Sequence, residues 1–545
     1  MSIYAIGLSG LNAAQNALNT TSNNIGNVNT AGYNREQVIL GEARGDGGVR
    51  VDDVQRQFNQ HVAGQLNAAT SSSSALATQH QQVSQIDNLL ADRDAGLAPL
   101  MQSFFSSLED LAGAPSDPAA RQGVLGSAET LTAQFRGFDG YLQDMQSGIN
   151  GQIRDEVTQI NNTSEQLATL NREIVLARAR SGEAPNAMLN QRDQLVAELS
   201  ERMEVRLNVQ DGKTYHLSLP NGQPLVAGTS HHRLEAMPAP NDPQRSVLGV
   251  RDSSGRPVAL PESTVTGGTL GGLMAFRADT LDRTQNQIGQ LAVSLAVGVN
   301  AQHAEGMDLE GQPGAAFFSV GKPQIIGHAG NSADITVTSA FDPERIDALS
   351  AADYAIRFDA GTPSVTRQDN GEVMLLAADE WDGTTLKVGG MTLDFTQLPQ
   401  DGDRFEVQPV RRAAGEMRSE IVELDRIAAA QPDETGAFTG SGDNRNALAL
   451  QDLQSQLRVG GRASFNQAYA GLVSDVGNRT NIVQVNLEAR QGLTEQLKAV
   501  QQSESGVNLD EEAANLLRYQ QFYAANARVI DTASTIFDTI LGLRS

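Results

Sequence analysis

The sequence predicts an α+β multidomain fold: a terminal α-helical coiled coil plus a long helical-bundle rod domain, with β-rich domain or domains inserted in the middle of the chain. Three patterns predict it. Both ends carry a seven-residue apolar repeat, and so does a long stretch of the first half, where Phe135, Leu142 and Ile149 are followed by Ile153, Ile160, Leu167 and Ile174. Between these helical parts the hydrophobic period drops to two, first at Glu204 and again near Pro323.

The repeat at the C-terminus places Leu509, Leu516, Tyr523, Ile530 and Phe537 at one seam position, d, with Ala513, Gln520, Ala527, Ser534 and Leu541 at the other, a. At the N-terminus Tyr4, Leu11, Leu18 and Ile25 take d, with Leu8, Gln15 and Ser22 at a. Each end therefore reads as a long helix keeping one seam against a partner, with large residues at d and mostly small or polar ones at a. The first charged side chain is Arg35. A solvated surface helix normally carries a charged face, so an uncharged one suits a helix surrounded by other helices.

Taken in order, residues 1–50 read as the N-terminal coiled-coil helix and an extended linker, with Gly32 suited to a left-handed stop and GEARGDGG a turn cluster. Residues 51–203 read as the first part of the helical rod. The run Ser71 to Ser74 lies inside a helical pattern, which favours a weak helix over a linker. Helix is expected from about Val124 to Ser181 as one rod, and a last helix leads to Met203. Residues 204–266 read as a first β part, with a turn at Asp211-Gly212 between alternating runs. Residues 267–317 return to helix. Residues 318–412 form a second β part, with LKVGGMTLDF as a Gly-Gly hairpin. Whether the two β parts make one domain or two is open at this stage. Helix is expected to resume at about Ala413, break at the turn-rich run QPDETGAFTGSGDN and continue from Asn444, so that 413–505 is the second part of the rod and 506–545 the C-terminal coiled-coil helix.

Composition narrows the function. The net charge is −25, and lysine occurs only at Lys213, Lys322, Lys387 and Lys498. Such a chain is repelled by phosphate backbones and anionic lipid surfaces, so no nucleic-acid or membrane partner is expected. No apolar run approaches the ~18 residues of a membrane span, and the N-terminus lacks the basic and apolar segments of a secretory leader. Cysteine is absent, which excludes disulfides, thiolate metal sites and cysteine nucleophiles.

No catalytic or cofactor constellation stands out, so neither an enzyme activity nor a cofactor is expected. The seven histidines are scattered, and His231-His232 sits in a polar turn. Ser319 to Lys322 matches S-x-x-K without the companion motifs. The glycine-rich run Gly267 to Gly272 lacks the lysine of a phosphate loop and is expected to be a flexible joint between strand and helix. Arg44-Gly45-Asp46 is a chance triplet in a turn, and neither Asp401-Gly402-Asp403 nor Asp92 with Asp94 has the further ligands of a calcium loop. The acidic run Asp510 to Glu512 reads as a helix start, with Asn508 as cap and Glu511 returning a bond to it.

The stretch Ser9 to Glu36 resembles the N-terminal signature of the bacterial flagellar axial proteins, met here by Asn23, Asn24, Ile25, Asn27, Asn29, Thr30, Gly32 and Tyr33; Ser22 and Gly26 depart from the alanines commonest there. Ser505 to Leu541 is similar to the C-terminal signature of the same superfamily. Within it the match is to the hook–filament junction family, the first hook-associated proteins, through Pro185 to Ser200, Gly442 to Leu450 and Phe465 to Gly477. The resemblance implies a non-enzymatic, exported, extracellular subunit of the flagellum that forms a ring with copies of itself between the hook protein and a second junction protein. It also implies an export chaperone at the C-terminal region. Hook protein and second junction protein are the alternatives within the superfamily. An adhesin or an enzyme domain displayed on the flagellum is the alternative outside it. The weak seam further predicts that the terminal segments order only on assembly.

Overall fold

The computed structural model describes residues 3–43, 47–92, 96–182, 185–210, 214–332 and 335–542. The Asp211-Gly212 turn, the Arg44 to Asp46 triplet and Asp94 lie outside the described residues. The chain opens with helix α1 (Ile3–Gly26). An antiparallel hairpin follows, β1 (Glu36–Glu42) with β2 (Val49–Arg56), where the sequence suggested only extended linker. The two short β-prone runs flanking the glycine-rich stretch pair with each other, and a bulge between Ile39 and Leu40 absorbs their mismatch.

Helix α2 (Gln60–Leu90) starts at Asn59, whose side chain accepts from His61 N and Val62 N, and it runs unbroken through the four serines. Helix α3 (Leu97–Gly113) brings Phe104 and Phe105 inward. Helix α4 (Pro118–Ser181) is 64 residues long, about 96 Å at 1.5 Å per residue. Asp117 caps its start beside Pro118, and Gly182 at φ +88° stops it in the left-handed region. Helix α5 (Asn186–Arg202) folds back along α4. The rod core gathers Phe104, Phe105, Phe317, Phe318 and Phe465, with Phe465 stacked on Phe105 at 5.8 Å.

The first β part has a four-stranded sheet (206–210, 214–218, 224–227, 230–231, neighbours in that order) and a three-stranded one (234–238, 246–251, 257–259). Both lie on α4. Tyr215, Leu217, Leu225, Val226 and Leu248 join the rod's own core rather than a separate one. Three asparagines on one face of α4 complete the seat. Asn150 accepts from Ser246 N, Asn161 pairs with both backbone groups of Leu234, and Asn171 donates to the Tyr215 and Gly228 carbonyls. Their spacings, eleven and ten residues, are close to three helical turns.

Helix α6 (Gly268–Phe276) passes through a π turn (Arg277–Leu281) into α7 (Asp282–Ala304). The expected flexible joint before α6 is instead a tight one. A side chain at Gly268 would strike the Arg202–Met203 backbone at 2.1 Å, and one at Gly272 would meet the Ala75 carbonyl at 2.3 Å, so glycine serves close packing here.

In the second β part a five-stranded antiparallel sheet runs 324–327, 404–408, 354–359, 362–367, 373–374, beside a three-stranded sheet of 337–341, 391–395 and 385–388. Gly389 and Gly390, at φ +55° and +76°, turn the expected Gly-Gly hairpin. This part has its own core, with Tyr354, Ile356, Phe358, Leu386, Leu393, Phe395 and Phe405.

The helix expected from about Ala413 does not form. Residues 413–444 cross the rod as a strap with two short 3-10 turns and a two-residue strand pairing Ser419 with Phe318. Buried Arg121 of α4 holds it by donating to the carbonyls of Leu424 and Ile427 at 2.8 and 2.9 Å, acceptors that a helix would have used internally. Helix α8 (Arg445–Asp452) then leads to α9 (Phe465–Ser505), opened by a Ser464/Gln467 capping box, and to α10 (Leu509–Gly542).

Candidate functional site

The two ends of the chain come together: α1 packs along α10 and against the β1/β2 hairpin. The buried strip of α1 is Gly7, Ala14 and Thr21 with Ala13, Ala17, Thr20 and Asn24. This strip is one residue ahead of the expected seam, about 100° around the helix. Of that seam, Leu11, Leu18 and Ile25 are half-buried, while Tyr4 and Leu8 are exposed. On α10 the expected d position is partly kept, since Leu516 and Ile530 are half-buried, as is Ala527 from a. Leu509, Ala513, Tyr523, Phe537 and Leu541 face outward. The shift has a steric cause. Small residues on α1 admit α10 closely enough that a side chain at Gly7 would touch Ile530 at 2.9 Å and one at Gly10 would overlap Asn526. Tyr4 and Leu8 of α1 and Tyr523, Phe537 and Leu541 of α10 are left on the outside of the pair.

A polar clasp closes the base of this pair. Glu512 is the buried residue of α10. It accepts from Asn24 Nδ2 at 3.1 Å and from Arg35 Nε at 2.8 Å, while Arg35 Nη1 reaches Glu511 at 2.7 Å. Asn24 Oδ1 in turn accepts from Tyr33 Oη and from Glu36 N. Arg35 N also donates to the Ser505 carbonyl, which fixes the hairpin to the α9–α10 turn. Burial pushes the Tyr33 hydroxyl up, and the negative charges of Glu36 and Glu512 add to this, so it stays a donor. Asn508 does cap α10 through Asp510 N, but Glu511 turns to Arg35 instead of back to its cap.

Comparison with known proteins agrees with these ends. The family model "Flagella basal body rod protein" matches residues 5–34, and "Flagellar basal body rod FlgEFG protein C-terminal" matches 501–543. "Flagellar hook-associated protein FlgK helical domain" matches 83–318, and "Flagellar hook-associated protein 1, D2-like domain" matches 327–409. Flagellar hook-associated protein 1 of Salmonella typhimurium is 42% identical over 98% of this chain and 99% of its own length. The chain belongs to the flagellar hook-associated protein 1 family. The Escherichia coli protein of that name is 41% identical over 98% of both chains. The solved flagellar hook junction protein FlgK of Burkholderia pseudomallei shares the fold, at TM-score 0.75 and 28% identity, over 81% of this chain and 99% of that one. Membership places the chain among the structural proteins of the bacterial flagellum.

The motif residues of this hook-associated protein 1 relative find roles in the clasp and in a second one beside it. Asn27 Nδ2 donates to the Asn23 carbonyl, Thr30 Oγ1 donates to Asn27 Oδ1, and Gly32 at φ +74° turns the chain against Gln194 of α5. Asn29 is exposed. Asn34 donates to Asn190, which also accepts from Arg56, and Asp193 pairs with Arg56 at 2.6 Å. Asn186 reaches the Val54 carbonyl. The first turns of α5 thus grip the segment before the hairpin and its second strand, and tie the terminal pair to the rod.

Sequence reasoning missed Arg35, Asn34, Arg56, Asn190 and Glu512 as site residues. The signal for Arg35 was present: the charge that ends a long uncharged run has a partner to meet. Elsewhere, His303 is fully buried, accepts from Ala428 N and bonds the Ala315 carbonyl. Burial holds it below the ordinary histidine range, so it is a neutral packing residue. Among the described residues no group of three His, Cys, Asp or Glu is placed to hold a metal, and no helix is long and apolar enough to cross a membrane.

Proposed function

We propose that this chain is a non-catalytic subunit of the flagellar axis at the hook–filament junction, assembling with copies of itself into a ring through its terminal helix pair. One observation carries the reading. In a 34-residue helix, α10, the buried residue is the charged Glu512, while Leu517, Phe522, Phe537, Ile540 and Leu541 are each half or more exposed. Burying one such side chain stabilises by roughly 1.5–3 kcal/mol, so this face is completed by neighbouring subunits. Tyr4 and Leu8 belong to the same outward set on α1, with Ile3 and Ile6.

An adaptor in this position has the hook protein on one side and the second hook-associated protein on the other, and an export chaperone covers the C-terminal region before secretion. The outer β parts read as two domains, the first resting on the rod core and the second built on its own. Electron microscopy of a strain lacking the gene tests the role: hooks without filaments, with filament protein shed into the medium, are expected. Normal filaments would refute it.

A further inference from the structure

The second β part meets the rod through apolar contacts around Val293 of α7 and, beside them, a patch of charged side chains. Asp282, at the start of α7, receives Arg245 of the first β part at 2.6 Å and Arg411, at the C-terminal end of the second β part, at 3.5 Å. Arg411 also grips Asp353, the residue that leads into strand 354–359, and Asn286 of α7 donates to the same carboxylate at 3.2 Å. Glu262 is shared by Arg245 and by Arg277 of the π turn. Two further acids are met by amides instead of guanidiniums. Glu406 accepts from Asn241 and Gln368, and Asp242 accepts from Gln408.

The joint therefore gathers five carboxylates, with Asp242, Asp282, Asp353 and Glu406 largely buried and Glu262 partly exposed, against three guanidiniums. Among the described residues no fourth cation is paired with them. Arg412, next in the chain, turns away to Gln143 and Gln244, beside Asp139 of α4. The cations are themselves incompletely used, since Nε of Arg245, Arg277 and Arg411 has no acceptor among the described residues. Surplus like charge in a buried interface is costly, and a proton is the cheapest way to remove it.

We propose that this interface is a proton-linked joint: seating the second β part on the rod takes up protons, so the part docks more tightly in mild acid and loosens as the pH rises. The electrostatics of its members agree. Burial holds the Asp353 carboxyl above the usual range against the pull of Arg411, with Asp282 adding to the rise. Burial does the same for Glu406, opposed by Asn241 and reinforced by Asp353. Beside the joint, Asp139 of α4 is pushed up to about 6, chiefly by burial. Asp282, buried but held by Arg245 and Arg411, stays ionised. A carboxyl that binds its proton more tightly in the closed joint favours closure as pH falls and loses that contribution as pH rises through its folded value.

The chain has no cysteine, so spin labels placed by Gln122→Cys on α4 and Leu375→Cys on the second β part report their spacing in the full chain. Distance distributions recorded by double electron–electron resonance are expected to be narrow at about pH 5 and broader at about pH 8. Glu406→Gln, alone and with Asp353→Asn, is expected to lose most of that broadening. Equal widths at both pH values, or broadening in acid, overturn the joint. If Asp353→Asn fails to fold, Glu406→Gln decides by itself, and an undiminished pH response in it overturns the assignment.

Discussion

The rod and the terminal helix pair are both built from seven-residue repeats, yet they are held by opposite means. In the rod the repeat does what its period implies. Phe135, Leu142, Ile149, Ile153, Ile160, Leu167 and Ile174 of α4 are all buried, and phenylalanines from α3, α9 and the 317–318 segment lock together beside them. In the terminal pair the large repeat residues stay largely outside, and the helices meet through glycine, alanine and a polar clasp. The rod is thus complete within one chain, whereas the terminal pair leaves apolar side chains exposed. The difference teaches that a heptad repeat specifies a seam but not the molecule on the other side of it.

That contrast can be broken experimentally. The largest loss is expected in the rod, where Phe104→Ala removes a fully buried ring touching Phe105, Phe317 and Phe318. It should cost about 3–5 kcal/mol in urea unfolding followed by circular dichroism. Glu512→Ala comes next, because it strands the amide of Asn24 and one face of Arg35. About 1–3 kcal/mol is expected, confined to the terminal pair. Hydrogen exchange should accelerate in 3–42 and 506–542 while the rod's unfolding midpoint stays put. Equal acceleration in α4 would mean that the two regions unfold together.

A smaller effect is expected from Gly10→Ala, since the added methyl meets the movable end of Asn526. Crosslinking between the two terminal helices should fall modestly, and Gly10→Val should fall further. The smallest effect on the isolated chain, within about 0.5 kcal/mol, is expected from Phe537→Ser, at a residue 65% exposed. The same substitution should abolish or severely reduce filament growth in swimming cells. Unimpaired filaments would show that the outward face of α10 is not an assembly surface. Limited proteolysis of the free chain bears on the same contrast: cleavage in both termini before the rod is expected, and termini as resistant as the rod would contradict ordering on assembly.

Much of this was legible in the sequence because it rests on local period and on turn chemistry. The long α4, the unbroken α2, the two β parts and the Gly389-Gly390 hairpin follow from rules that act within a few residues. The misses share a cause. The hairpin at Glu36–Arg56 is a pair of short runs stabilised by α1 and α5, and the strap at 413–444 gives its carbonyls to Arg121, some 300 residues earlier in the chain. The seam was displaced by one residue because hydrophobic size marks a face, while closeness of approach decides which face a neighbour in the same chain takes.

For the terminal helices, then, the sequence alone settled that they exist, that they repeat by seven and that they resemble the flagellar axial proteins, since period and motif are properties of adjacent residues. Tertiary structure decided that Gly7, Ala14, Ala17 and Asn24 form the inner contact, that Glu512 and Arg35 close it, and that Phe537 and Leu541 point away. Those outcomes depend on which distant segments come within van der Waals and hydrogen-bond reach, and sequence spacing carries no measure of that distance.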